Sequence, residues 1–224
     1  RFVDFPYYWC LSVKGLLQKA AGSRRLNSIR SYKMSLIRKI TMVALACFTL
    51  SSVTAHATTD PKISVQLWSV KNELTTDFEG TLKKLSAMGF DGVEFAGNFG
   101  KFEKDPEGLK KFLAENGLQA SGAHVGFDKF SDANFEQTVD FFGKLGAKYL
   151  IVPYDERAFN AKTVDVVNAE LASIAKKLEK HGLKTGYHNH TPEFANFKGT
   201  TFWDYMGDNT PENVVLQLDV GWTA

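Results

Sequence analysis

From Ile63 onward, short apolar runs alternate with longer stretches whose apolar residues recur at helical spacing. Ile63-Ser64-Val65-Gln66-Leu67-Trp68 predicts a strand, and Phe78, Leu82 and Leu85 predict a helix over 77–88. Gly92 to Phe95 follows as a second strand. A helix over 106–116 leads to a third strand at 120–124. Phe135, Val139, Phe142 and Leu145 mark the next helix, before a fourth strand at Tyr149-Leu150-Ile151-Val152. A longer helix over 160–180 precedes a strand at 184–190. A short helix beginning at Thr201 precedes a sixth strand at 214–220.

Four of these helices run into glycine, at Gly89, Gly117, Gly146 and Gly182, and each glycine is soon followed by an apolar strand. The residue after a helix often turns left-handed, where a Cβ is penalised. Six strands joined by helical connections imply a parallel α/β sheet with right-handed crossovers. An open doubly wound sheet is the competing arrangement. It is disfavoured because the first strand-to-helix turn, 69–76, carries no glycine-rich phosphate loop. Polar residues gather instead at the C-terminal ends of several different strands, as a barrel active site requires. The expected fold is therefore a (β/α)8 TIM barrel, truncated after about the sixth strand because the sequence stops at Ala224.

Charge divides the chain. Up to Ala57 there are nine Lys/Arg and one acid, which leaves 18 basic and 24 acidic residues from Thr58 on. The net +2 therefore says nothing about nucleic acid. Residues 34–57 read as a signal peptide. Arg38 and Lys39 precede a short apolar stretch over 40–50, and Ala55-His56-Ala57 has the small-x-small form of a cleavage site. That stretch is shorter than the roughly 20 residues of a membrane span. A buried N-terminal helix is the plainer alternative, and Cys47 is a weak lipid-attachment candidate. Residues 1–33 are expected to be an upstream extension outside the fold, with residues 58–224 forming the barrel portion. Cys10 and Cys47 are the two cysteines, so a mature chain from Thr58 has none. The expected location is periplasmic or secreted, without a stable membrane anchor.

The densest group of chemically active residues is Tyr187-His188-Asn189-His190-Thr191-Pro192-Glu193-Phe194. In a strand, His188 and His190 share one face. Two imidazoles at a strand end, with a carboxylate three residues on, can hold a divalent metal or a sugar hydroxyl. Asp219 ends the sixth strand at the same rim, where a lone Asp is often only a helix cap. Glu94 and His124 each close a strand, and either alone is more often structural. Together these six residues fall at or just past strand ends, which independent accidents explain poorly. Trp222 and Trp68 are candidates to stack on a sugar ring, although core packing is the favoured reading of Trp68.

At these residues the chain resembles a known family. Gly186-Tyr187-His188-Asn189-His190 with Glu193-Phe194, and Leu216-Gln217-Leu218-Asp219 with Trp222, resemble the xylose-isomerase-like sugar phosphate isomerase/epimerase family. Gly92-Val93-Glu94 and the His124 strand are similar to its second and third strands. The resemblance spans about 62–224 and implies a (β/α)8 barrel, commonly with divalent manganese, magnesium or zinc. In the epimerase branch, carboxylates of the fifth, sixth and eighth strands and a His of the seventh hold the metal. Two flanking glutamates there exchange a proton beside a carbonyl.

Carried over, the resemblance makes Asp219 the sixth-strand ligand. The fifth-strand position stays open. Either Glu193 reaches back to the metal, or His188 or His190 takes its place, or sugar is bound without that metal. The expected activity is sugar or keto-sugar isomerisation or epimerisation by proton transfer alpha to a carbonyl. Glu193, His188 and His190 are its catalytic candidates, His124, Glu94 and Trp222 its substrate contacts, and Glu193 and Asp219 its metal ligands. With the last two strands missing, the chain as written is expected to be inactive. The expected partner is a small sugar rather than nucleic acid, with a homo-oligomer left open. Alternatives are a non-catalytic sugar-binding barrel and a zinc-dependent abasic-site endonuclease-like protein. The second would need more His ligands and a basic groove.

Overall fold

A computed structural model describes residues 8–11 and 61–223. Seven parallel strands form one sheet. In chain order they are β1 (Tyr8–Leu11), β2 (Lys62–Gln66), β3 (Gly92–Phe95), β4 (Gln119–His124), β5 (Tyr149–Val152), β6 (Lys184–His188) and, after a small hairpin of β7 (Asn196–Phe197) and β8 (Thr200–Thr201), β9 (Val215–Gln217). Strand neighbours in space follow chain order, β1-β2-β3-β4-β5-β6-β9. Between them run α1 (Lys71–Thr76), α2 (Phe78–Ala87), α3 (Pro106–Glu115), α4 (Phe135–Leu145), α5 (Val164–Glu179) and α6 (Phe202–Asn209), with α7 (Val220–Thr223) after β9.

The strands from β2 to β9 are the six expected from the periodicity. Their consecutive order, with a helix between neighbours, is that of a barrel wall, and an open doubly wound sheet would reverse its strand order partway. The sheet is curled. Glu94 on β3 and Gln217 on β9 are four strand spacings apart, roughly 19 Å in a flat sheet at about 4.8 Å per strand. Their side chains nevertheless bond at 2.6 Å, so the sheet wraps around a lumen. This is the wall of a TIM barrel carried through its sixth strand.

Alternation divides the side chains between two environments. Val65, Val93, Phe95, Ala123, Leu150, Val152 and Tyr187 face outward into the main core. There they meet Leu82 and Leu85 of α2, Leu109 and Leu113 of α3, Phe142 of α4, and Leu171 and Leu178 of α5. The lumen holds a small apolar cluster of Tyr149, Ile151 and Val215, below a polar group described next. Gly146 ends α4 at φ 85°, and Gly89, Gly117 and Gly182 also take positive φ, as the helix-end pattern predicts.

Several boundaries differ from the sequence reading, each for a local reason. β2 stops at Gln66, whose side chain accepts from the Trp68 backbone N–H and caps a 3-10 turn over Leu67–Val70. Residues 189–190 leave β6 because Glu193 folds back to accept from the His190 backbone N–H. β1 pairs with β2 from Tyr8↔Lys62 to Leu11↔Val65, within the segment that the sequence reading set upstream of the fold. A free β2 edge would present unpaired N–H and C=O groups, and Tyr-Trp-Cys-Leu is rich in strand formers. The signal-peptide reading of 34–57 lies outside the described residues. No helix among them is long and apolar enough to cross a membrane.

Candidate functional site

Five strands bring a polar side chain to the C-terminal end of the lumen: Gln66 from β2, Glu94 from β3, His124 from β4, His188 from β6 and Gln217 from β9. Each lies at or next to the end of its strand, on the face opposite the core-facing alternate residues. Space for them comes from the lumen glycines. A Cβ on Gly186 would sit 1.9 Å from the Val215 carbonyl oxygen, and one on Gly122 3.4 Å from Glu94 Oε1.

Hydrogen bonds join the five into one network. Gln66 Nε2 lies 3.1 Å from His124 Nδ1, and His124 Nε2 lies 3.0 Å from Gln217 Oε1. His188 Nδ1 is 3.0 Å from the same Gln217 oxygen, while Gln217 Nε2 donates to Glu94 Oε1 at 2.6 Å. Glu94 Oε2 lies 3.5 Å from His124 Nε2. The Glu94 carboxylate is buried, and buried polar groups need such partners because leaving one unpaired costs roughly 1–3 kcal/mol.

His188 also meets Asp219, its Nε2 lying 3.8 Å from Oδ2. Burial pushes the His188 imidazole down to about 4, helped by His124 and His190 and opposed by Asp219 and the Gln217 hydrogen bond. At neutral pH it is therefore an uncharged ring. Asp219 is positioned by Asn189, which follows β6, and by its own turn. Its backbone N–H donates to Asn189 Oδ1 at 2.7 Å, Asn189 Nδ2 donates to its carbonyl, and Oδ1 accepts from the Gly221 N–H.

Above this network opens a cavity of about 440 Å3, within the roughly 300–1,000 Å3 of small-molecule sites. Glu94, His124, His188, His190 and Asp219 all line it, so five of the residues singled out in the sequence converge. The His188 ring sits between His124 and His190, with centroids 4.9 and 5.1 Å away. Trp68 lines the cavity with 61% of its surface exposed, which corrects the core-packing reading. It lies on the 3-10 turn that Gln66 caps, one step beyond the strand, and Lys71 Nζ sits 3.7 Å from its ring. Tyr154 supplies a second exposed aromatic ring.

Two expected residues stand apart from the cavity wall. Glu193 is 0% exposed. One carboxylate oxygen accepts from the Tyr187 hydroxyl and the other from the His190 backbone N–H, each at 2.9 Å. Its two hydrogen bonds thus hold the turn that carries His190, and burial, with the Glu193 carboxylate beside it, pushes the Tyr187 phenol up. Trp222 packs against His190, with ring centroids 5.2 Å apart.

The remaining donors bear on the metal. His188 Nε2 and Asp219 Oδ2 are suitable in kind, but among the described residues no group of three or more His, Cys, Asp or Glu could hold a metal ion. Glu193 has both oxygens engaged elsewhere. These residues alone do not form the site the resemblance implies. Sequence reasoning gave no role to Gln217, Gln66 or Tyr154. The available signal was parity: Gln217 is a polar residue two before Asp219 in an otherwise apolar strand, and so shares its face.

Comparison with known proteins agrees with this architecture. The family model of xylose isomerase-like TIM barrels matches residues 82–224. Two solved structures described as sugar phosphate isomerase/epimerases from Parabacteroides distasonis superpose with TM-scores of 0.64 and 0.61, at 25% and 26% identity. These matches cover 77% and 72% of this chain, and 70% of each of the others. A probable 3-DHS dehydratase of petrobactin synthesis from Bacillus anthracis shares the fold at 15% identity and TM-score 0.52, over 70% of this chain and 62% of its own. No curated protein matches the chain significantly. The curled parallel wall, the polar cluster at its C-terminal mouth and the family match lead to one assignment: the chain belongs to the xylose isomerase-like TIM barrel family.

Proposed function

We propose that this barrel is a sugar or keto-sugar isomerase or epimerase that moves a proton on the carbon next to a carbonyl. The observation that carries the proposal is the pair of facing acceptors, His188 Nε2 and Asp219 Oδ2, at the floor of a cavity with the exposed Trp68 indole on its wall. An apolar ring face beside hydrogen-bonding groups suits a sugar, whose C–H face stacks while its hydroxyls bond. The two Parabacteroides structures described as sugar phosphate isomerase/epimerases support this substrate class.

In the proposed reaction His188 Nε2 takes the proton from the alpha carbon. The C–H electron pair moves into the adjoining C–C bond, and the carbonyl oxygen becomes an enediolate oxygen. His190, also on the cavity wall, is the group proposed to donate toward that oxygen. Asp219 stabilises the imidazolium that forms. Return of its proton to the neighbouring carbon on the same face completes isomerisation, whereas epimerisation takes a proton from a second acid on the opposite face while His188 releases its own to solvent. Burial keeps His188 unprotonated at neutral pH, and a positioned acid–base group contributes typically about 10²–10⁴-fold in rate. Export behind residues 34–57 belongs to the same proposal, supported by the charge asymmetry of the chain.

The test is solvent exchange. Protein from the complete open reading frame is incubated with a panel of keto-sugars in deuterium oxide, and loss of the alpha C–H signal is followed by proton NMR. Enzyme-dependent exchange on at least one sugar is the expected result. Saturable sugar binding with no exchange on any of them would select the non-catalytic sugar-binding barrel.

A further inference from the structure

Each amide in the lumen network is oriented by a partner with a single hydrogen-bonding role. The Trp68 backbone N–H can only donate, so the Gln66 atom facing it at 2.6 Å is the oxygen. The Gln66 NH2 group then faces His124 Nδ1, which must accept, and His124 carries its proton on Nε2. At the other end the Glu94 carboxylate can only accept, so the Gln217 NH2 group points at it. The Gln217 oxygen is left between the two rings, 3.0 Å from His124 Nε2 and 3.0 Å from His188 Nδ1. Both nitrogens must donate to it. The two neighbouring histidines are thus held in opposite tautomers, His124 as Nε2–H and His188 as Nδ1–H.

We infer that Gln217, oriented by Glu94, is a positioning residue that locks His188 in its Nδ1–H tautomer and so keeps the Nε2 lone pair directed into the cavity. His124 has both nitrogens committed to the network and cannot serve as the base, although it lines the same wall. The bond made by one ring nitrogen sets the state of the other. Without the Gln217 oxygen, His188 would be free to move its proton to Nε2, where Asp219 Oδ2 lies 3.8 Å away to receive it. The lone pair facing the cavity would then be lost. The catalytic consequence rests on the isomerase reading above, but the tautomer assignment does not.

Two-bond 15N–1H NMR correlations on the histidine rings test the lock directly. The wild-type protein should show His124 protonated at Nε2 and His188 at Nδ1. In Gln217→Leu, His188 should shift to Nε2–H or a mixture, and alpha-proton exchange should fall on the order of 10²–10⁴-fold with KM little changed. Glu94→Gln is the second variant, for use if Gln217→Leu does not fold. It offers the Gln217 amide an acceptor or a donor, so the amide can flip and mixed tautomers are expected. A wild-type His188 protonated at Nε2 overturns the inference, as does an Nδ1–H tautomer that persists in both variants. Tautomers that shift as expected in a protein with no alpha-exchange on any sugar would refute the isomerase reading and leave the lock standing.

Discussion

His188 Nε2 and Asp219 Oδ2 face each other at 3.8 Å across the floor of the cavity, and with His188 neutral both are acceptors. Two acceptors at that separation need a donor between them, and a substrate hydroxyl or a transferred proton supplies one. His188→Gln and Asp219→Asn are each expected to lower turnover by about 10²–10⁴-fold. The thermal midpoint should move little for Asp219→Asn, because the amide oxygen can still accept from the Gly221 N–H. Steady-state kinetics beside thermal unfolding checks this, and a fall in midpoint without a specific loss of rate would assign the pair to structure.

The depressed His188 pKa has a consequence for stability. Between about 4, its folded value, and about 6.5, its ordinary value, the unfolded chain binds the proton that the folded chain refuses. Stability from this group is therefore complete above about 6.5 and declines as pH falls toward 4, by at most about 1.4 kcal/mol for each pH unit. Urea unfolding from pH 7.5 down to 4.5 should show a steeper loss in the wild-type protein than in His188→Gln. Equal slopes would show that burial does not hold the ring neutral.

Glu193 is expected to behave as a brace for its turn. Its two oxygens receive the Tyr187 hydroxyl and the His190 N–H in a fully buried setting. Hydrogen bonds to a charged group are worth roughly 1.5–3 kcal/mol each. Glu193→Ala should therefore lower the unfolding free energy by several kcal/mol, with Glu193→Gln in between. A large rate loss in Glu193→Gln at an unchanged denaturation midpoint would restore its reading as a base or ligand.

Trp68 offers a cleaner separation of binding from folding. With 61% of its surface exposed on the cavity wall, it has little packing to lose. Trp68→Ala is expected to raise KM for sugar about tenfold, consistent with about 1–2 kcal/mol of ring contact, while leaving the unfolding midpoint in place. Intrinsic fluorescence of the wild-type protein should change on sugar addition, and an unaltered KM in the variant would remove Trp68 from the site.

Export makes a separate prediction, and it bears on β1. Expressed from Met34 in a bacterial host, the protein should appear outside the cytoplasm with Thr58 at its N-terminus, as mass spectrometry would read. Cleavage after Ala57 would also remove Tyr8–Leu11, the strand that pairs with β2. An intact Met34 terminus retained in the cytoplasm would count against the signal reading.

Much of the fold was legible in the sequence because its causes are local. The 3.6-residue spacing of Phe135, Val139 and Phe142 and the glycines that follow the helices act through their own turn of chain. The edge strand was not legible, since β1 is defined by a partner more than fifty residues away. Strand ends were also missed where one side chain redirects the backbone, as Gln66 does before Leu67 and Glu193 does after His188.

For the site, the sequence by itself determined which residue types reach the mouth of the barrel. Parity along a strand puts Glu94, His124 and His188 on one face, and their places at or next to strand ends put them at the C-terminal rim. Only the tertiary structure decided what each of them does there. Curling of the sheet brings Gln217 within 2.6 Å of Glu94, a residue 123 positions earlier. That contact orients one amide, and the amide in turn assigns the protons of two histidines. The structure also shows Glu193 buried against Tyr187 and Trp68 on the cavity wall. Local pattern sets the direction of a side chain, but its partners and its protonation depend on which strands the curvature brings face to face.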